Sequence, residues 1–437
     1  MDSEKFLFSL SRFGIKLGLG PTLEFARSIG NPQDSFRSIH VAGSNGKGST
    51  ATFIYRVLKR RYRAALYTSP HLRRFNERII VNDEEVPDSF IDEFVSSHKS
   101  TIEYNENETQ LTFFEYTTIM AFDFFRKKGV EFASVEVGLG GRLDSTNIIK
   151  PEVSVITSIS LEHADKLGGS IEYIAREKGG IIKKGTPVVI GKVPETAQRV
   201  LLNIARQNNS PVREAGECEV SNLQYTLEGT SFLLKTENNT YEVNLKALGE
   251  HQVNNAISTV LAAESMPDPL SVKEIIGGLA EAQVPGRFEI RRRNPLLILD
   301  GAHNPEAMHS LASNIRRYGI KDPLIVLGVL KDKNSYNIMQ TLSEISEEVL
   351  ITEPNEVERK KDVEDLRREA KLFFKEVEIS RKPSGALDIV LKGSRDAVVT
   401  GSLYLVGEVE SLLDEKEREE GVPLEGEEFK KPSGLVE

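Results

Sequence analysis

Short apolar runs alternate with longer amphipathic stretches along most of the 437 residues. Ser38–Ala42 reads as a strand, followed by a glycine loop and a helix from about Gly48 to Arg61. Ala64–Thr68, Phe132–Val137, Val153–Ser158 and Pro187–Gly191 are further strand-like runs, and Phe113–Lys128 and Ser170–Lys178 carry helical spacing. Alternation of this kind predicts a mostly parallel sheet with helices on both faces. The rhythm breaks over Val220–Lys246, where the alternating runs Thr230–Lys235 and Thr240–Leu245 predict a small antiparallel patch. A helix follows from about Gln252 to Glu264, and Val284-Pro285-Gly286 punctuates the end of a first domain, residues 1–286.

A second alternating series fills residues 287–437. It has strands at Leu296–Leu299, Leu324–Gly328, Val349–Thr352 and Asp396–Thr400, with helices at Pro305–Tyr318 and from Ser402 to about Leu413. This predicts a smaller Rossmann-like domain. The charged segment after Asp414, ending in Pro432-Ser433-Gly434, reads as a solvated, loosely held tail. The expected fold class is α/β throughout.

Composition narrows the function classes. A net charge of -10 argues against a nucleic-acid-binding surface, which needs a basic face. No apolar run reaches the length of a membrane span, and Met1–Phe8 lacks the apolar core of a secretory leader. A soluble cytoplasmic protein without membrane or nucleic-acid partners is therefore expected. Cys218 has no second cysteine to pair with and reads as an incidental thiol.

The strongest local signal is Val41-Ala42-Gly43-Ser44-Asn45-Gly46-Lys47-Gly48-Ser49-Thr50, between a predicted strand and a predicted helix. Glycines let successive N–H groups turn toward phosphate oxygens, the helix start adds positive potential, and Lys47 adds a point charge. The run departs from the commonest P-loop in placing Gly48 after the lysine, with Ser49 and Thr50 next as hydroxyl candidates. A second loop, Gly138-Leu139-Gly140-Gly141, is not a dinucleotide fingerprint. Glu136 precedes it at the end of a strand, where doubly wound sheets bind ligands. A Mg²⁺ ligand and an ordinary edge salt bridge are equally good readings of that carboxylate. His163 follows another strand end; a lone histidine is more often structural than a ligand. Lys178 shares a helical face with Ile171 and Ile174, so it must snorkel, pair or be chemically altered, and spacing alone favours snorkelling.

Together these motifs resemble one family, the folylpolyglutamate synthase/dihydrofolate synthase branch of the Mur ligase superfamily. The resemblance runs from about Leu10 to Glu408. It is carried by VAGSNGKGST at 41–50, TSPHLRRFNERI at 68–79, TFFEY at 112–116, VEVGLGGRLDSTNI at 135–148 and SLEHADKLG at 160–168. It continues in REKGGI at 176–181, HQVNNA at 251–256, PGRFE at 285–289, DGAHNP at 300–305 and TGSLYLVGE at 400–408. So many ordered motifs exclude coincidence. The fold it implies is a P-loop ATPase domain with a parallel sheet, plus the smaller Rossmann-like ligase domain.

The resemblance also implies roles. Ser44, Asn45, Gly46, Lys47, Gly48 and Ser49 match the positions around the ATP phosphates. Asn255, Arg287 and Asp300 match further ATP-binding residues. Ser69, Glu136 and His163 match ligands of two Mg²⁺ ions. Lys178 matches a lysine that the family carbamylates, which would explain a lysine on an apolar face beside an anionic ligand. His303 and Ser402 match positions linked to the incoming L-glutamate. Thr112, Phe113, Phe114, Glu115, Leu143, Asp144 and Ser145 match the pterin-acid site. Two features depart from the family's pterin loop: Ser9-Leu10-Ser11-Arg12, and Lys16 where an acidic residue is usual.

The implied reaction is ATP-dependent ligation. The carboxylate of dihydropteroate or a reduced folate takes the γ-phosphate, and the amine of L-glutamate then attacks the acyl phosphate. Lys47, Lys178 and His303 would serve the chemistry, with closure about Val284–Phe288 expected to exclude water. The family is usually monomeric, so a monomer is expected. A ligase of the same superfamily acting on another acid is the near rival. A nucleotide switch without ligase chemistry is the distant one, and it leaves His163, Lys178 and DGAHNP unexplained.

Overall fold

The computed structural model describes residues 3–14, 18–103, 111–161, 169–354 and 359–419, apart from the side chains of residues 12–13 and 100–103. The chain divides into two compact units, Met1–Val284 and Pro285–Glu437.

The first unit is built on a sheet of β1 (Arg37–Ala42), β2 (Ala64–Tyr67), β3 (Ile79–Val81), β4 (Glu84–Glu85), β5 (Phe132–Glu136), β6 (Val153–Ile156), β7 (Val188–Ile190) and β8 (Val212–Glu214). Their order is β4-β3-β2-β5-β1-β6-β7-β8, parallel from β2 to β8 and antiparallel at β3 and β4. The strands β5, β6 and β7 are buried along their whole length. This is why they appear in the sequence as continuous apolar runs: a parallel sheet is covered on both faces.

Its helices are α1 (Ser3–Ser9), α2 (Gly20–Ser28), α3 (Lys47–Leu58), α4 (Asp88–Glu103), α5 (Phe113–Lys127), α6 (Ile171–Gly179), α7 (Glu195–Gln207), α8 (Glu250–Glu264) and α9 (Val272–Glu281). One core joins α3, α8 and α9 to the sheet through Phe53, Leu58, Val153, Val260 and Ile275. Another is aromatic, around α5, where Phe25 stacks on Tyr116 at 5.4 Å. The predicted antiparallel patch is a sheet of β9 (Glu219–Thr226), β10 (Gly229–Lys235) and β11 (Thr240–Leu245). Tyr241, Val243 and Leu245 alternate inward along β11, which packs on α9.

The second unit holds β12 (Glu289–Arg293), β13 (Leu296–Leu299), β14 (Leu324–Leu327), β15 (Glu348–Ile351), β16 (Glu376–Ile379) and β17 (Ala397–Thr400). The order is β12-β13-β17-β14-β15-β16, with only β12 antiparallel. Its helices are α10 (Pro305–Arg317), α11 (Ser335–Leu342), α12 (Val363–Ala370), α13 (Pro383–Lys392) and α14 (Leu403–Glu419). Among the described residues no helix is long and apolar enough to cross a membrane.

Several short elements escape a reading by apolar runs. In α12 only Val363, Leu366 and Ala370 are buried, so a mostly charged octapeptide hides its helix. The strand β12 carries three arginines and exists because β13 offers it a hydrogen-bonding edge. The tail needs correcting from Asp414 onward: α14 continues to Glu419. The cause is Arg291 on β12, whose guanidinium reaches Asp414 at 2.6 Å and Glu410 and Glu417 at 3.3 Å, with its side chain 14% exposed. Replacing Arg291 by Met would leave three half-buried carboxylates without their shared cation. We expect the second unit to lose about 3 kcal/mol, read as a lower urea midpoint of the full chain.

Candidate active site

Register places the first group of residues. Within the sheet Val41 lies opposite Glu136, and Ala42 opposite Ile156, so β1, β5 and β6 end at one level. The loop after β1 is stitched to the loop after β6. Ser44 N–H donates to Ser158 O at 2.8 Å and Asn45 N–H to Ser158 Oγ at 2.9 Å. Thr157 Oγ1 donates to Asn45 O at 2.7 Å, and Ser160 N–H donates to Ser44 Oγ at 3.0 Å. Sequence reasoning gave Thr157, Ser158 and Ser160 no role, although their cluster of hydroxyls at a strand end was visible.

The loop turns into α3 at Gly46, which is left-handed at φ 81°. A Cβ there would lie 2.5 Å from Asn255 Oδ1. The N-cap of α3 is Gly46, which has no side chain to cap the first turn, and an uncapped helix start of this kind suits an anion. Lys47 sits in that turn and donates to Ser44 O at 2.9 Å. Asn255 is buried on α8, accepts from Thr50 Oγ1 at 3.2 Å and donates to Gln252 at 2.9 Å. Ser49 is buried behind the loop, and Gly48 faces Glu136, whose Oε2 would lie 3.5 Å from a Cβ. Glu136 in turn accepts from Ser69 N–H at 2.9 Å.

Lys178 does not snorkel. It is 4% exposed, and its ammonium donates to Gly43 O at 2.7 Å, so the apolar stripe of α6 delivers a cation to the loop after β1. His163 lies outside the described residues. Among those described, no group of three or more His, Cys, Asp or Glu side chains gathers as a metal site. Glu136, whose carboxylate accepts from Ser69 N–H, is an oxygen donor of the hard type that Mg²⁺ takes alongside phosphate oxygens.

A second group lies on the same unit. Thr112 and Glu115 form a capping box on α5: Thr112 N–H donates to Glu115 Oε2 at 2.7 Å, and Glu115 N–H to Thr112 Oγ1 at 3.3 Å. This fixes the half-buried rings of Phe113 and Phe114 at the helix start. Phe113 stacks on Phe8 at 5.6 Å, with the Arg78 guanidinium 5.2 Å over its face. Phe114 stacks on Tyr67 at 6.0 Å and fills the space where a Cβ on Gly138 would stand. The turn at Gly138 carries on to Leu139, whose N–H donates to Asp144 Oδ2 at 2.8 Å. Asp144 and Ser145 are buried and Leu143 half-buried, and Asp144 is tied through Leu139 to the turn at Gly138 against which Phe114 packs. Phe8, His71, Phe75 and Arg78 belong to this cluster without having been assigned from sequence. Burial, and then the nearby Arg78, hold His71 down at about 4, and its Nδ1 accepts from Arg78 Nε at 2.8 Å.

The second unit gathers its own group at the ends of β13 and β17. Asp300 is buried and accepts from Phe288 and Ala302 N–H, each at 2.8 Å. Burial raises its carboxyl while Arg287 and the two N–H groups oppose that shift. Phe288 is left-handed at φ 49°, an unfavourable state for a bulky residue that the Asp300 bond holds in place. His303 Nδ1 lies 2.8 Å from Gly301 O; a carbonyl only accepts, so the proton sits on Nδ1. Ser402 is buried, accepts from Tyr404 N–H at 3.1 Å, and follows Gly401, which donates to Ala302 O at 3.0 Å.

Both units have counterparts among known proteins. The Mur ligase middle domain profile matches residues 41–263, and the Mur ligase glutamate ligase domain profile matches residues 286–402. The chain belongs to the Mur ligase family. This Mur ligase is 34% identical over 426 residues to the dihydrofolate synthase/folylpolyglutamate synthase of Bacillus subtilis, covering 94% of this chain and 98% of that one. The Thermotoga maritima folylpolyglutamate synthase crystal structure superposes with a TM-score of 0.84 at 36% identity, over 94% of this chain and 96% of the other. The Escherichia coli relative solved with DHPP and ADP superposes with a TM-score of 0.82 at 27% identity, over 95% and 98%. The chain is thus an ATP-dependent acid–amino-acid ligase of the dihydrofolate synthase/folylpolyglutamate synthase group, with the α/β architecture expected from its sequence.

Two consequences of this Mur ligase geometry are measurable. Gly46→Ala forces an L residue into φ 81° against Asn255. It should weaken ADP binding by about tenfold or more in calorimetry while the melting temperature falls little. Burial, aided by Lys183, pushes His40 from 6.5 to about 3. The unfolded chain therefore binds a proton that the folded chain refuses between those values. Stability is full above pH 6.5 and declines as pH falls toward 3. His40→Gln should flatten that part of a stability-against-pH curve measured by urea unfolding.

Proposed function

We propose that this ligase joins L-glutamate to a pterin-linked carboxylate, taking dihydropteroate to dihydrofolate, a reduced folate to its polyglutamate, or both. The observation that carries the reading is the convergence of Lys47, Lys178 and Glu136 on one glycine loop, with a separate aromatic cluster at Phe113 and Phe114. The first cluster suits a triphosphate, the second a flat heteroaromatic ring. The names of the relatives support the same substrates.

In this reading Ser44 through Ser49 and Asn255 hold the ATP phosphates, with Arg287 and Asp300 as further nucleotide residues. The substrate carboxylate oxygen attacks the γ-phosphorus, the bond to the β-phosphate oxygen breaks, and ADP leaves. Lys47 stabilises the negative charge on the transferring group. Ser69, Glu136 and His163 would hold Mg²⁺, which supplies charge neutralisation when bound. Carbamylation of Lys178 would turn its cation into an anion at the same loop. The glutamate amine then attacks the acyl carbon, loses a proton, and expels phosphate; His303 and Ser402 receive the glutamate. Thr112, Phe113, Phe114, Glu115, Leu143, Asp144 and Ser145 orient the pterin acid. The enzyme works as a cytoplasmic monomer in this reading.

ADP release with ATP, Mg²⁺ and L-glutamate tests it, using dihydropteroate or tetrahydrofolate as acid and omitting each component in turn. Release that requires both glutamate and one pterin is expected; silence with both pterins would redirect the search to another acid. Lys47→Ala should lower kcat by about a hundredfold or more with an unchanged melting curve. Lys178→Ala should be inactive with or without bicarbonate. Full activity of a wild-type protein whose Lys178 is unmodified in gentle mass spectrometry would remove carbamylation from the scheme.

A further inference from the structure

His40 lies on β1, two residues before Ala42 leads into the phosphate loop, and is completely buried. No step of the ligation uses it. Its Nε2 is 2.8 Å from Thr146 Oγ1, and Thr146 Oγ1 is 2.5 Å from Asp144 Oδ1. Asp144 accepts from several groups at once: Leu139 N–H on Oδ2 at 2.8 Å, and Thr146 N–H on Oδ1 at 3.0 Å. Burial raises the Asp144 carboxyl, while the Thr146 hydroxyl and the N–H groups of Leu139, Thr146 and Gly138 oppose that shift; a carboxylate held by so many donors works as an acceptor. The single hydroxyl proton of Thr146 must then point at Asp144, and the hydroxyl lone pair must accept from the imidazole. His40 is therefore fixed with its proton on Nε2. Its Nδ1 has no hydrogen-bond partner among the described residues, which suits a bare lone pair better than a buried N–H.

We propose that His40 is a positioning residue for the acid substrate. Through a directed chain of hydrogen bonds, His40 Nε2 to Thr146 hydroxyl to Asp144 carboxylate, the central strand of the sheet holds the 143–145 loop in its binding shape. The inference rests on that loop being part of the acid site. Other contacts pin the far side of the same segment: Lys183 Nζ donates to Asn147 O at 2.9 Å, and Asn147 Nδ2 to Arg142 O at 2.9 Å. His40 is the tie that comes from the strand bearing the phosphate loop. Burial and Lys183 keep the ring neutral, so the chain does not switch with pH near neutrality.

The test uses His40→Gln, whose amide keeps a donor near the ring Nε2 position, together with His40→Leu and Thr146→Val, which remove a link. Steady-state ligation and amide hydrogen exchange are measured on each full-length protein. The expected result is a KM for the pterin acid raised about tenfold or more in the Leu and Val variants, with KM for ATP within about twofold and His40→Gln close to wild type. Exchange at residues 139–147 should rise in the Leu and Val variants while the amides of β5 and β6 stay protected. An unchanged acid KM in both link-removing variants, or an equal loss in all three, overturns the proposal. If His40→Leu does not fold, Thr146→Val breaks the same chain from its other end and decides. If wild type ligates no pterin acid, the substrate reading has failed instead; the exchange pattern then judges the relay alone, and no change at 139–147 refutes it.

Discussion

The hydrogen-bonded register of β1 between β5 and β6 is the constraint on which the first unit's chemistry depends. Pairing Val41 with Glu136 and Ala42 with Ile156 brings strand ends to one edge, although these segments are separated by roughly a hundred residues of chain. A one-residue slip would turn Glu136 to the opposite face of the sheet and carry the Thr157–Ser160 loop away from Ser44. Burial of the strands on both faces makes such a slip costly, so the core specifies the site. The loop after β1 is accordingly held by backbone and hydroxyl bonds to the loop after β6, not by its glycines alone.

Charge is handled locally at that edge. A helix N-terminus and two lysines face one loop, and a buried carboxylate stands over the first turn of the same helix. The arrangement suits a ligand that is itself polyanionic. In the second unit the same economy of means appears at Asp300. That one carboxylate fixes two backbone N–H groups, including that of a residue in a left-handed state, and so shapes the turn that carries Arg287. At the unit's edge, Arg291 does for α14 what Asp300 does for this turn, gathering three carboxylates onto one strand.

Residues around the proposed acid site have structural duties that their types alone would not reveal. Thr112 and Glu115 cap α5, and Asp144 collects N–H groups. Their substitution would disturb the positions of Phe113, Phe114 and the 143–145 loop whether or not they touch substrate. Loss of activity in such variants is thus weak evidence of direct contact. A split between KM and kcat is more informative.

Alternation of apolar runs determined the α/β class, the main strands of both sheets and the antiparallel patch, because fully buried parallel strands have no polar face to disguise them. Glycines, a lysine and a strand–loop–helix order sufficed to single out the loop between β1 and α3. Short amphipathic helices such as α12, and the arginine-rich strand β12, were decided by tertiary packing, since each needs a neighbour to bury its few apolar atoms or pair its edge. The fate of single polar groups was also a tertiary matter. Spacing made Lys178 a snorkelling lysine, and only the folded chain puts a carbonyl 2.7 Å from its ammonium. His40 gave no local signal at all: its partner Thr146 is brought to it by the closing of a sheet, and hydrogen bonds between distant segments are not written in the residues beside them.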